Sequence, residues 1–520
     1  MTIQLVLTPQ EAETEHILCQ KIFEQANLKL FKQPVYRILR KSIDARRGKI
    51  RINLLAEVIE KSDNLHYQPF EYKNVENSEP VIIIGSGPAG LFAALKLLEL
   101  GVRPIVLERG KNVENRKHDI SQLNLNESFN PESNYCFGEG GAGTFSDGKL
   151  YSRSKKKGDM QRIFECFHLH GAADNILYEA HPHIGSDKLP LLVSNMTKTI
   201  VEHGGQVIFG EKVNELIINN NKISGCKTES GNIYNSHAII LATGHSASDV
   251  YQMLDQQNVT LETKGFAMGI RAEHPQTLID RIQYHIAERG EFIPAASYSL
   301  VEQVEGRGVY SFCMCPGGRI VPASNSLEQI VVNGMSASAR NSEFANSGIV
   351  VEISPIDIPF EFDKYGSLAG LYYQKHIENL ASINNGGMGL KAPAQRLGDF
   401  ARRKLSFDLP QCSYMPGVIS SPMHFWLPEH ISGRLQQALR RFDKRMNGYL
   451  TNDAIVVGVE TRSSSPVRIP RNPVNMQHIH IQGLFPAGEG AGYSGGITSS
   501  AIDGENAAIA VKDFLLGNIY

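Results

Sequence analysis

The chain has 520 residues, of which 42% are hydrophobic and 20% charged, and its formal net charge is −2. That length calls for two or three domains, and a near-neutral balance gives no global attraction to nucleic acid or to a membrane. No apolar run approaches the ~20 residues that span a bilayer. The start, MTIQLVLTPQEAETEH, lacks the basic and apolar regions of a signal peptide. Seven scattered cysteines without a Cys-x-x-Cys pair fit a reducing cytoplasm and offer neither a disulfide framework nor a zinc site.

Residues 1–75 read as a small α+β module of order β-α-β-β. Gln4 to Leu7 form a strand, and Thr8-Pro9-Gln10-Glu11 is a capping box with proline at the first helical position. The helix runs to about Asn27 and buries Ile17, Leu18, Ile22 and Phe23. Two strands follow, about Val35 to Ile43 and Lys49 to Val58. In the second, Ile50, Ile52 and Leu54 alternate with Lys49, Arg51 and Asn53. From Leu28 to Leu54, nine basic residues (Lys29, Lys32, Arg37, Arg40, Lys41, Arg46, Arg47, Lys49, Arg51) face one acid, Asp44. Clustered positive charge is the footprint of phosphate-backbone binding, and equally of a solvated strand face or a surface docked on the same chain. Phe31 and Tyr36 are too few for a base-stacking platform.

After a polar linker, HYQPFEYKNVENSEP, the stretch VIIIGSGPAGLFAALKLLELG (Val81 to Gly101) sets strand, tight turn and helix in order. Gly85 permits the turn, Gly87 lets a pyrophosphate approach the backbone, and Gly90 packs the helix on the sheet. The helix N-terminus presents free N–H groups to phosphate. A second strand, Pro104 to Leu107, ends at Glu108, whose carboxylate suits a ribose diol and repels a 2′-phosphate; the site therefore favours FAD or NAD over NADP. The segment Asn134 to Arg153 is too glycine-rich for a regular element, and short strands run from about Gly205 to Gly244.

Two further segments point at the same ligand. AIILATGHSA ends a strand at Ala242, Thr243 and Gly244. GLFPAGEGAGYSGGI places Gly488 and Glu489 after an apolar run, and Gly495, Gly496 and Ile497 before a C-terminal helix. NAD needs only the first glycine motif. A second cradle, with a helix N-terminus to stabilise negative charge, suits the longer FAD, held also at its flavin end. The expected fold is α/β: a Rossmann-like FAD-binding domain, discontinuous in sequence (76–260 and 451–520), with an inserted mixed α+β substrate domain (261–450).

These stretches, with FGEGGAGTFSDGKL, PHIGSDKL, YSFCMCPGG, NGMSASAR and GYSGGITSSAIDG, resemble the two-dinucleotide-binding-fold superfamily of flavoproteins. Within it the chain is similar to a bacterial family of FAD-dependent dehydrogenases, or NAD(P)/FAD-dependent oxidoreductases, over nearly its whole length. The resemblance implies that Gly85, Gly87, Pro88, Ala89 and Gly90 lie on the pyrophosphate, with Glu108 on the adenosine ribose. Arg109 or Arg116 would flank the AMP half, and the Val213 backbone would meet adenine. Gly141, Gly143, Thr144 and Ser146 would border the isoalloxazine, and Gly488, Glu489, Gly495, Gly496 and Ile497 would complete the flavin end. The superfamily often has Asp where this chain has Glu489.

FAD carries the redox chemistry, so side chains need only move protons and orient substrate. Cys313 and Cys315 share a strand face in i, i+2 register and are either small buried residues or thiols relaying electrons. Arg271 and Arg462 are either anchors for an anionic substrate or structural ion-pair partners. Tyr493 either touches the flavin or packs. His181 and His183 lack a third metal ligand. The expected function is an FAD-dependent oxidoreductase acting on a small molecule, with NAD(P)H as a transient donor. The alternatives are an RNA-directed flavoenzyme using the basic module and a non-catalytic redox regulator. The oligomeric state is left open.

Overall fold

The computed structural model describes residues 1–27, 35–46, 48–59, 70–151 and 158–517. Lys29, Phe31, Lys32 and Arg47 of the basic stretch lie outside the described residues.

The N-terminal strands pair in the order Thr2–Leu7, Arg51–Ile59, Val35–Asp44. The capping box forms as its residue types dictate: Thr8 accepts from the Glu11 N–H, and the Glu11 carboxylate accepts from the Thr8 N–H at 2.8 Å. The helix breaks at Thr14, which is extended, into Pro9–Glu13 and Glu15–Gln25. Leu18, Ile22 and Phe23 pack on Ile52, Leu54 and Ala56. Arg37, Lys41 and Arg46 are paired with Glu57, Glu13 and Asp44. Lys41 also exchanges backbone hydrogen bonds with Tyr178 and Ala180, so this module is stitched to the rest of the chain.

A five-stranded, wholly parallel sheet follows in the order Leu484–Pro486, Ile239–Leu241, Pro80–Ile84, Arg103–Glu108, Gln206–Phe209. Val81 to Ile83 are completely buried, as a continuous apolar strand covered on both faces requires. The glycine-motif helix, Pro88–Leu100, packs against the C-terminal helix, Ile497–Leu515, which lies far along the chain from it. Their contact is close because a Cβ on Gly504 would stand 2.0 Å from the Ala89 carbonyl oxygen.

The second large sheet has seven strands, in the order Val301–Val304, Arg307–Cys315, Phe344–Ile353, Phe266–Pro275, Ile455–Glu460, Ala392–Arg396, Val418–Ser420. All neighbours are antiparallel except the last pair. The amphipathic helix Glu429–Arg445 buries Ile431, Leu435, Leu439 and Phe442 in the same core. Ile455–Glu460 lies next to the central strand, so this sheet continues past the boundary expected at residue 450. The sequence signal is ambiguous there: IVVGV, before Glu460, is a continuous apolar run, which either sheet accommodates. Among the described residues no helix is long and apolar enough to cross a membrane.

Candidate functional site

The glycine motif adopts the geometry that its residue types require. Gly85 has φ +102, and a Cβ there would stand 2.5 Å from the Ala242 carbonyl oxygen, where the ATG strand passes. A Cβ on Gly90 would stand 1.9 Å from the Gly85 carbonyl oxygen. Pro88 and Ala89 open the helix, whose first N–H groups have no side-chain cap. The segment 134–148 folds over this turn. Gly140 donates to the Ser86 carbonyl at 3.0 Å, and Gly141 lies against Gly87. Gly143 faces Pro88 and Ile497; a Cβ there would stand 3.3 Å from the Pro88 ring. Thr144 donates to the Glu139 carbonyl at 2.8 Å and Ser146 to the Gly143 carbonyl at 2.8 Å, so both hydroxyls fix the loop.

The C-terminal segment closes the same region. Gly488 sits 2.9 Å from the Ala89 methyl, measured from an added Cβ, and its N–H donates to Asp503 at 2.8 Å. Glu489 lies 3.5 Å from His245 Nδ1. Gly244, Gly495 and Gly496 have nothing within 4 Å of where a Cβ would stand, so the ATG strand end and the C-terminal helix start border open space. A cleft of about 530 Å³ adjoins the other end, lined by Arg109, Phe137, Lys212, Asp249, Tyr372 and Lys375. It contains Arg109 and none of the glycines. Val213 opens the strand beside Lys212 and is buried.

Several expected roles are corrected by these contacts. Both oxygens of Glu108 are engaged within the chain: one accepts from the Ser86 N–H and hydroxyl (3.0 and 2.7 Å), the other from the Gly110 and Gly138 N–H groups (2.9 and 3.0 Å). Four bonds fill a carboxylate's acceptor sites, so Glu108 pins the turn rather than offering itself to a ribose. Arg116 does not flank a ligand. It is fully buried and donates to the carbonyls of Asn134, Tyr135 and Glu139. Arg109 reaches the cleft, bound to Glu132 and, at 2.9 Å, to Asp249.

Neither arginine proposed as a substrate anchor is available. Arg462 is bidentate to Glu378 (3.0 and 2.9 Å) and donates to Asn325 at 2.8 Å. Arg271 is fully buried against Glu460 at 2.8 Å, Asn346 at 2.8 Å and the Cys313 carbonyl at 2.9 Å. Burial lifts the Glu460 carboxyl to about 7 in spite of that arginine. Tyr493 packs its ring 3.9 Å from the Arg471 guanidinium and accepts from the Arg471 N–H at 3.0 Å. His183 bonds the Ser338 carbonyl, and Tyr151 packs edge-on against His181. Among the described residues no three His, Cys, Asp or Glu gather as metal ligands.

Sequence reasoning missed Asp503 and Arg471, a buried bidentate pair (2.6 and 3.0 Å) that fixes the Gly488 turn. The signal was present: an acid among Ala501, Ile502, Gly504, Ala507 and Ala508 sits on an otherwise apolar helix face.

A parallel sheet with a glycine turn at its strand ends, a second helix N-terminus and open space between them is the site of a dinucleotide-binding flavoprotein. Matches to known proteins narrow this class. Residues 80–270 match the family described as glucose inhibited division protein A, and residues 265–463 the family described as FAD-dependent protein, C-terminal domain-like. Residues 1–59 match a domain of unknown function. A protein of Clostridium beijerinckii, described as uncharacterized, is 38% identical over 512 residues, covering 94% of each chain. The chain belongs to this bacterial family of FAD-dependent oxidoreductases, and FAD is its cofactor. Among solved structures it is similar to the flavin-dependent brominase Bmp2 (13% identity, 84% and 79% of the two chains, TM-score 0.37). It is also similar to CtdE in complex with FAD (10%, 84% of each chain, TM-score 0.33). Likenesses this distant carry no functional argument.

Proposed function

We propose that the chain is a dehydrogenase or reductase that moves two electrons between FAD and a small molecule admitted at the open side of Gly495 and Gly496. The observation that carries this reading is the meeting of two helix N-termini, Pro88 and Ile497, on either side of Gly143, with open space at Gly244, Gly495 and Gly496. In this assignment Gly87, Ala89 and Gly90 hold the pyrophosphate through backbone N–H groups, and Pro88, which has no N–H, opens the helix beside it. Arg109 and the backbone at Val213 border the AMP half. Thr243 and Gly244, with Gly488 and Glu489, flank the path toward the flavin. Gly141, Gly143, Thr144, Ser146, Gly495, Gly496 and Ile497 enclose its ring end.

FAD supplies the electron transfer when bound. The chain's own residues orient it, and the Ile497 helix start favours negative charge nearby. The inserted seven-stranded sheet is the substrate-side domain in this reading. No observation favours an RNA-directed role or a non-catalytic regulator. NADH or NADPH as donor would have to dock transiently at the flavin face. The test is the anaerobic visible spectrum of the purified protein before and after NADH or NADPH. Flavin absorption that bleaches within seconds supports a nicotinamide-driven reductase. Flavin that persists points to an organic-substrate dehydrogenase. No flavin after FAD is added back refutes the proposal.

A further inference from the structure

We propose that Cys313 and Cys315 form a redox-active dithiol that passes two electrons to the bound FAD and is reset by an external thiol. The proposal rests on the assignment of the flavin end to Gly495–Ile497.

The backbone is unusual at this point. The strand Arg307–Cys315 pairs Phe312 with Gly348 and Cys315 with Asn346, so the Cys313-Met314 segment carries one residue more than its partner. That bulge places Cys313 in the left-handed region, φ +47. A cysteine gains nothing there that glycine would not supply without strain, and bulges recur where a side chain is re-aimed beside an active site. Both sulphurs then meet one charged cluster. Cys315 Sγ lies 3.3 Å from the Cys313 carbonyl oxygen, 3.7 Å from Arg271 Nη2 and 3.8 Å from Lys149 Nζ. Asp147 pairs with Lys149 at 3.3 Å and Arg340 at 2.6 Å, and Glu460 pairs with Arg271. Opposite Cys315, the buried side-chain amide nitrogen of Asn346 has no hydrogen-bond partner.

The two thiols differ as a reactive and a resolving thiol must. Cys313 is half-buried, and Cys315 is fully buried. The hydrogen bond from Cys315, with Lys149 and Arg271 nearby, holds Cys313 below the ordinary thiol range. Cys315 is pushed up by the Cys313 sulphur and by burial. Cys166, Cys226 and Cys412 are pushed up by burial alone or chiefly so, as inert core thiols are. The cluster adjoins the flavin end through Lys149. Its chain neighbour Leu150 accepts the Thr498 hydroxyl at 2.6 Å, in the first turn of the C-terminal helix.

In the forward step two S–H bonds are lost and one S–S bond forms; the two electrons and the two protons released are those that FAD takes up on two-electron reduction. In the return step two external thiols reduce the Cys313–Cys315 bond and leave as one disulfide. A disulfide between cysteines separated by a single residue is strained, which suits a bond that must reopen.

The test is an anaerobic dithionite titration of the air-oxidised holoprotein, together with iodoacetamide labelling and mass analysis of the peptide containing both cysteines. We expect about four electrons taken up per flavin, against about two for Cys313→Ser and Cys315→Ser. The oxidised wild-type peptide should carry no label and the reduced peptide two. Should the variants not fold, the wild-type labelling decides alone. Uptake of about two electrons, or two labels before reduction, in a protein that holds flavin overturns the dithiol and leaves the oxidoreductase reading standing. A protein without flavin refutes both.

Discussion

Two glycine substitutions separate the architecture of the site from its occupancy. Gly90→Ala puts a methyl 1.9 Å from the Gly85 carbonyl oxygen, 3.1 Å from its carbon and 3.3 Å from an Ile83 methyl. The first contact is over 1 Å too short and is with backbone, so the turn must shift. Overpacking of this kind costs about 1–3 kcal/mol, and the displaced turn is the one that meets phosphate. Gly495→Leu is the opposite case. Gly495 is exposed, has no left-handed φ and has nothing within 4 Å of its Cβ position. The apoprotein should keep its stability to within about 0.5 kcal/mol. FAD, however, must share that space with an isobutyl group, and its affinity should fall about 10- to 100-fold, or about 1.4–3 kcal/mol. Urea unfolding of both apoproteins and flavin-fluorescence titration with FAD measure the two effects. Wild-type FAD affinity in Gly495→Leu would remove the C-terminal helix start from the cofactor site. Unchanged stability in Gly90→Ala would refute the steric account of the turn.

Other expectations follow from the buried polar groups. Asp503→Ala leaves Arg471 unpaired and frees the Gly488 N–H; breaking a buried pair costs about 3–5 kcal/mol, read by urea unfolding, and FAD retention should fall with it. Burial raises Glu273 from its ordinary 4.5 to about 7, against hydrogen bonds from Ser413. A raised carboxyl favours the folded state below pH 4.5, and that contribution is lost as the pH climbs through 7. The loss is at most about 3 kcal/mol. Glu273→Gln should flatten the unfolding midpoint over this range relative to wild type; parallel curves would count against it. Cys313 should be the first thiol that iodoacetamide labels at pH 7 in the reduced protein, and Lys149→Met should slow that labelling by removing a cation. Peptide mass analysis over time reads both rates.

What the sequence made legible follows from how local the cause is. The Thr8–Glu11 box, the Gly85 turn and the parallel apolar strands each depend on residues within a few positions. Glu108 was recognisable as a strand-end acid. Its partner Gly138 arrives from 30 residues away, so its saturation was not. Arg116 lies in a polar helix and became buried only because segment 134–139 folds back over it. Arg271 and Arg462 carried the chemistry of anion recognition; which anion they meet, Glu460 or Glu378, is a tertiary fact. The i, i+2 spacing of Cys313 and Cys315 placed both on one face. The extra residue in the ladder that turns Cys313 left-handed depends on the register with Gly348 and Asn346.

The order of the parallel sheet sets a schedule for synthesis. Its strand Ile239–Leu241 has one neighbour made long before, Pro80–Ile84, and another, Leu484–Pro486, made about 240 residues later. A nascent chain that has left the ribosome through the seven-stranded insert therefore still shows one bare edge of the older sheet, with unpaired N–H and C=O groups. It also lacks Ile497–Leu515, the cover for the glycine-motif helix. The cofactor cradle is thus the last part of the molecule to close, and a chain stopped before residue 484 is born with an adhesive edge.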